Sequence, residues 1–285
     1  MVLNLDTFGT GICDRLRALT FSAAIAELIH DKDLYVYEES SSECPDRIID
    51  LFDLKGFKIH SLQMPEKSQI MMNPFNSFPC LDAVQRNVPD YITVSARQVF
   101  GLWVDSYKLL IPKPKFTIVN RALSFSYSFG IHLRTTDRLG RLPGKGVITK
   151  SQLKKFVYKF LPDILSSTSP LHNVYICSDS ALVLREVLAV LSGGVELITN
   201  PGNRIPKGSR ESDGEYFLYD LFSLSRCEKI YSTVGGGVPL TANLIAGRNF
   251  SDADTGWAAS CWDTRAFDVM RKMKRFFPVG SKAVP

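Results

Sequence analysis

No run of about 18 or more apolar residues occurs anywhere in this 285-residue chain, so a membrane-spanning helix is excluded. The N-terminus, Met1-Val-Leu-Asn-Leu-Asp6, has no basic stretch ahead of an apolar one, and no secretory signal is expected. The six cysteines (Cys13, Cys44, Cys80, Cys177, Cys227, Cys261) form no Cys-x-x-Cys pair. Reduced thiols in a cytoplasm are the simplest reading, and a structural zinc is not expected. The four histidines (His30, His60, His132, His172) lack ligand spacing. Gly-x-x-x-x-Gly-Lys-Ser/Thr, Gly-x-Ser-x-Gly and His-Glu-x-x-His are all missing, which removes phosphate-loop, serine-elbow and zincin chemistry. Asp252 and Asp254 sit in a polar loop and read as solvated acids rather than a metal site. No internal repeat or low-complexity tract is present.

What the chain has is an ordinary globular apolar share, 45%, and length enough for two domains. Its net charge of +5 is confined to the end. From Thr264 to Pro285 there are six basic residues and one acid, so residues 1–263 are close to neutral. A nucleic-acid protein spreads basic residues over a binding face, so that class is not favoured. In the tail Phe267, Met270, Met273 and Phe277 share one side of a helical projection whose other side is basic. Packing back onto the first domain is the preferred reading; peripheral docking on an anionic membrane is the alternative.

Along the chain, Val2 to Leu5 reads as a strand broken by Thr7-Phe-Gly-Thr-Gly11. Leu16, Leu19, Ala23 and Ala26 predict a helix from about Cys13 to His30, with small residues that let it lie close to a sheet. Leu34 to Tyr37 is a strand, Pro45 to Leu54 reads as helical and Phe57 to Leu62 as extended. Such alternation points to a parallel sheet covered by helices. Prolines punctuate 64 to 95. Gln98 to Leu110 reads as a helix, and Ile111-Pro-Lys-Pro-Lys115 as a connection between domains. In the second half Phe125 to Arg134 alternates strictly, with Phe125, Tyr127, Phe129, Ile131 and Leu133 on one face. Then follow a helix from about Ser151 to Leu165, strand Asn173 to Cys177, helix Ala181 to Leu191 and strand Val195 to Ile198. Ser212-Asp-Gly-Glu215 has the form of a capping box starting a helix to about Arg226. Strand Lys229 to Val234 leads through Gly235-Gly-Gly237 into a helix beginning near Pro239 and stopping at Gly247.

Five features are candidates for chemistry. His132 and Arg134 share a face at the C-terminal end of a strand, where open α/β sheets bind ligands. Arg134 offers a fork suited to phosphate; the plain alternative is pairing with Asp137. Thr233 and the glycines 235 to 237 lie between strand and helix, where first-turn N–H groups meet anions; the alternative is a simple turn. Asp220 is one acid in an apolar helical stretch that guanine-like donors would satisfy, or else a neighbouring arginine. In the first loop (Gly9, Gly11, Asp14, Arg15, Arg17), Asp14 either complements a helix dipole or lines a cleft. Asp179 ends a strand and either serves a site or caps the next helix.

Together these pieces resemble the fucosyltransferase superfamily of two-domain GT-B architecture, which includes nodulation and core α1,6-fucosyltransferases and protein O-fucosyltransferases. Gly130-Ile-His-Leu-Arg-Thr-Thr-Asp137 resembles its Gly-Val-His-x-Arg-Arg-Thr-Asp segment. Gly11-Ile-Cys-Asp14-Arg-Leu resembles its first-loop signature. Leu34 through Cys44 to Phe52 resembles a block of bacterial members. Tyr175-Ile-Cys-Ser-Asp179 resembles a family strand end, and Asp220 to Thr233 a later block. Two departures stand out: Thr135 occupies the place of a frequent second arginine, and glycine replaces Ser or Thr at 235 or 236.

The resemblance implies an α/β fold with two Rossmann-like domains whose parallel sheets face a central cleft. Residues 1–112 would be the acceptor side, 113–263 the nucleotide-sugar side and 264–285 a basic tail. It implies an inverting, metal-independent fucosyltransferase of polysaccharide biosynthesis, moving fucose from GDP-fucose to a hydroxyl of a glycan or glycolipid. By carry-over Arg134 holds the β-phosphate, and His132 and Asp220 read the guanosine. Thr233, Gly235, Gly236 and Gly237 cradle the pyrophosphate, with Asp179 as a further donor-side residue. Asp14 and Asp137 are the candidate bases. The same fold with another nucleotide sugar, and a non-catalytic GDP- or glycan-binding relative, are the alternatives.

Overall fold

The computed structural model describes residues 2–5, 11–40, 46–63, 96–134, 173–191, 196–200, 214–232 and 237–248. The expected helix over 151–165, the acids at 252 and 254, and the tail at 264–285 lie outside the described residues.

The first half is built on strands β1 (Val2–Asn4), β2 (Asp33–Tyr37) and β4 (Lys58–Leu62), paired in parallel in the order β1-β2-β4. Helix α1 (Ile12–Leu28) follows β1. Its expected apolar stripe is there, but Ile12, Ala18, Phe21, Ala24 and Ile25 are buried as well. α1 is therefore enclosed nearly all round, packing on β2, on helix α3 (Ala96–Ser106) and on the last described helix. A helix held on so many sides fixes the position of its own N-terminus.

Two expectations change in the segment leading out of this half. Residues 45–54 do not form one helix. A four-residue helix α2 (Ile48–Leu51) gives way to strand β3 (Phe52–Leu54). β3 pairs antiparallel with β5 (Leu110–Pro112), part of the stretch expected to be a plain connection. The prolines there stop a helix, as expected, but Pro112 occupies a strand end, where a missing N–H is tolerated. Helix α4 (Thr117–Ser124), which the sequence did not announce, follows directly.

The second half is a four-stranded parallel sheet of β6 (Tyr127–Leu133), β7 (Asn173–Ser178), β8 (Glu196–Ile198) and β9 (Cys227–Ser232), in the order β8-β7-β6-β9. Within this half that is the order 3-2-1-4, so the chain reverses its direction of winding between β6 and β9. Helices α5 (Ala181–Leu191), α6 (Gly214–Ser225) and α7 (Gly237–Ile245) alternate with the strands. α7 begins two residues ahead of Pro239 and ends with Gly247 at φ +70°, the left-handed position that favours glycine.

The alternation expected for 125–133 holds only in part. Phe129 stacks on Tyr231, 5.9 Å between ring centroids, while Tyr127 packs on Tyr175 at 5.2 Å, on the α6 side. Phe125 lies before the strand and stays exposed. Gly130 also faces α6: a Cβ there would lie 2.8 Å from Cys227 Sγ and 2.9 Å from Leu224 Cδ2. Glycine at 130 thus lets α6 sit directly on the central strand.

The halves share one core. Phe52 of the first packs on Phe222 of α6, 6.3 Å between centroids. The first N–H of α6, at Gly214, donates to Asp46 Oδ2 at 2.9 Å, so a first-half carboxylate caps a second-half helix. Ser212 and Asp213 of the expected capping box lie outside the described residues. No helix among the described residues is long and apolar enough to cross a membrane.

Candidate functional site

α1 and α7, the helices next in the described chain after β1 and β9, touch at their starts. α1 opens at Gly11, which is extended (φ −69°, ψ 166°) and gives no side-chain cap. Among the described residues no side chain caps this helix start; the N–H groups of Asp14 and Arg15 donate to Gly11 O, and an uncapped start of this kind suits an anion. Across from it stands Gly237 at the start of α7. A Cβ on Gly237 would lie 2.6 Å from Cys13 Cβ, so the two helix starts are in direct contact.

Arg134 follows β6, the strand beside the winding reversal, and is half-buried. Its positive charge bears on both Cys13, in the first turn of α1, and His132, near the end of β6, so Arg134 lies near both. One arginine and two helix N-termini, each equivalent to about half a positive charge, therefore converge. Gly9, Thr233, Gly235, Gly236 and Asp137 lie outside the described residues.

His132 is 8% exposed, with Nδ1 3.1 Å from Ser232 Oγ on β9. Burial pushes its pKa down to about 4; Asp179 opposes this, and Arg134 reinforces it. The imidazole is neutral at physiological pH, and the fixed cation of the site is Arg134. Asp179 stands one residue ahead of the cap position of α5. That position is held by Ser180, whose Oγ accepts from Val183 N at 3.4 Å. The Asp179 N–H instead donates to Leu133 O at 3.2 Å, holding β7 to the end of β6.

Among the described residues the partners of Asp220 are Tyr175 and Asn200, not an arginine. Tyr175 Oη donates to its Oδ1 at 2.5 Å and Asn200 Nδ2 to the same oxygen at 3.4 Å. Burial raises its pKa to about 6, against the lowering effect of both donors. Both bonds fall on one oxygen, and Oδ2 receives none of them.

In the first loop the residues separate. Asp14 is 47% exposed and pairs with Arg17 at 3.3 Å. Arg15, expected to line the cleft, does not: it is 1% exposed, and its Nη1 donates to Glu38 Oε1 at 2.8 Å and Glu39 O at 2.9 Å. An arginine enclosed in this way supports α1 rather than touching a ligand. Cys13, Tyr175, Asn200 and Ser232 were not singled out beforehand. Only Tyr175 carried a signal, as a polar-tipped side chain between the apolar Val174 and Ile176.

No family model matches the chain, and no curated protein matches it. Solved structures do. A mutant of Arabidopsis thaliana FUT1 in complex with GDP aligns with a TM-score of 0.52 over 87% of this chain and 69% of that one, at 11% identity. POFUT1 in complex with GDP gives 0.47 over 87% and 94%, at 11% identity. POFUT1 in complex with GDP-fucose gives 0.44 over 86% and 91%, at 13% identity. At such identities the likeness is one of fold: the chain is similar to fucosyltransferases of GT-B architecture, with parallel α/β sheets in both halves.

Proposed function

We propose that this protein is a glycosyltransferase that moves fucose from GDP-fucose to a glycan hydroxyl, with inversion and without a metal. The observation that carries the reading is the convergence of Arg134 with the N-termini of α1 and α7 at the winding reversal of the second sheet. Residues 1–112 act as the acceptor side and 113–263 as the donor side. The FUT1 neighbour was solved with GDP, which agrees with a guanosine diphosphate at this place.

In an inverting transfer the acceptor oxygen attacks the anomeric carbon from the face opposite the diphosphate. The bond to the β-phosphate oxygen breaks as the new C–O bond forms, and negative charge grows on the departing GDP. Arg134 and the two helix starts stabilise that charge without reorganising. A neutral His132, held by Ser232, and the second carboxylate oxygen of Asp220 meet the guanosine. Asp14, beside the acceptor path, takes the hydroxyl proton, and Arg17 steadies its carboxylate.

Replacing Arg134 by alanine should lower kcat by about 10²–10³-fold, the usual loss for one such donor, with the melting temperature unchanged. Turnover with GDP-fucose, other GDP-sugars and UDP-sugars, each with EDTA, checks donor and metal together. An unaltered rate in Arg134→Ala, or exclusive use of UDP donors, would remove the reading.

A further inference from the structure

We propose that Cys13 and Gly237 are a size-matched pair that sets the gap between the starts of α1 and α7, making Cys13 a positioning residue for the donor diphosphate. The inference rests on the function proposed above and adds a residue to that site.

Three observations carry it. First, a Cβ at 237 would lie 2.6 Å from Cys13 Cβ, 3.4 Å from Sγ and 3.9 Å from Cα. Carbon pairs rest at about 3.5–4.0 Å, so the first contact is not tolerable. Cys13 Cβ is fixed to its backbone, and no rotamer change moves it away. Second, Thr241 lies beside the Cys13 thiol, close enough to oppose the rise of its pKa. Residues 237 and 241 are one helical turn apart, on one face of α7. Cys13 therefore fits between them, and a glycine at 237 leaves the room. Third, the strain of a larger residue has one place to go. α1 is buried along its length, with Leu16, Leu19, Ala23, Ala24 and Ala26 at 0% exposure, and does not slide. The body of α7 is held by Ala242, Leu244 and the left-handed Gly247. What yields is the first turn of α7, whose N–H groups would meet the donor diphosphate under the function proposed above.

The thiol also stays neutral there. Cysteines at helix starts are often acidified. Here burial pushes the pKa up to about 12, overriding Thr241, Arg17 and Arg134. No thiolate competes with a diphosphate for the positive field.

The test is a double-mutant cycle of Gly237→Ala and Cys13→Gly, with three readouts: GDP affinity by calorimetry, kcat and KM for GDP-fucose, and melting temperature. Gly237→Ala should weaken GDP binding and raise donor KM by at least about tenfold, the scale of one displaced charged hydrogen bond. The double variant, which removes one Cβ and adds the other, should bind GDP within threefold of wild type. A purely structural role would shift melting temperature in all variants without restoring GDP affinity in the double. Wild-type affinity in Gly237→Ala, or additive losses in the double, overturns the pairing. Where Gly237→Ala does not fold, the double decides alone: folding with near wild-type GDP affinity supports the pair, and folding without it, or not folding, overturns it. Absence of GDP binding in wild type removes the functional reading, and the pairing proposal with it.

Discussion

At the scale of a residue, Asp220 is an acid held at a thermodynamic loss. Folding raises its pKa from 3.8 to about 6, chiefly by burial. The sign follows from linkage. Between those values the folded protein holds a proton that the unfolded chain has released, so stability falls as pH rises through 6. The penalty is absent below 3.8 and complete above about 6. Asp220→Asn removes the charge and keeps an oxygen for Tyr175. It should raise the melting temperature at pH 8, change it far less at pH 4, and weaken GDP binding at pH 8. Wild-type GDP affinity should decline below pH 6, and the variant's should not. Scanning calorimetry and titration at both pH values check this; a variant less stable at pH 8 would make the carboxylate a structural one. The lone acid in an apolar run was legible in the sequence. Its partners were not, because Tyr175 and Asn200 stand 45 and 20 residues away and are brought near only by the sheet.

At the scale of elements, α1 is anchored through the ion pair of Arg15 with Glu38, just past β2, where the side chains are 2% and 0% exposed. Burial raises the pKa of Glu38, and Arg15 with the N–H groups of Ile48 and Ile49 counters it. Breaking a buried pair from one side typically costs about 3–5 kcal/mol, whereas replacing both partners with apolar residues is often near neutral. Arg15→Met should therefore destabilise strongly, and Arg15→Met with Glu38→Leu should recover most of the loss in urea unfolding. Equal destabilisation in single and double variants would show that the pair has no such role. Most strands and long helices were readable from periodicity, α1 and β6 above all. The failures have a common cause. Ile48, Ile49, Leu51 and Phe52 have helical spacing, but antiparallel partners at 110–112 make the last of them a strand. α4 is eight residues long and follows a proline-rich stretch, which hid it.

At the scale of the whole molecule, the two halves are fastened rather than merely adjacent. Phe52 meets Phe222, Asp46 caps α6, and α1 touches α7. Arg248, just past α7, returns its guanidinium to the carbonyls of Leu224, Ser225, Cys227 and Glu228, closing the C-terminal end of α6. Calorimetry should show one cooperative transition with equal calorimetric and van't Hoff enthalpies, and residues 1–112 and 113–285 should not fold when produced apart. Two separated transitions would contradict that coupling. The overall α/β plan was legible from alternation alone. The shared core was not, since no local pattern tells which apolar faces belong to a neighbouring sheet.

The pairing of β3 with β5 has a mechanical consequence. The chain crosses from one half to the other while zipped to its own earlier segment, and Lys113 reinforces the zipper by a 2.5 Å contact with Asp53. A loose tether would let the halves swing; a braced crossover transmits force. Load on the second half passes through Leu110–Pro112 into Phe52–Leu54 and on to α2, where the Ile49 N–H leans on Glu38 at 3.4 Å. Any hinge motion between the halves is thus geared to the buried pair of Arg15 with Glu38.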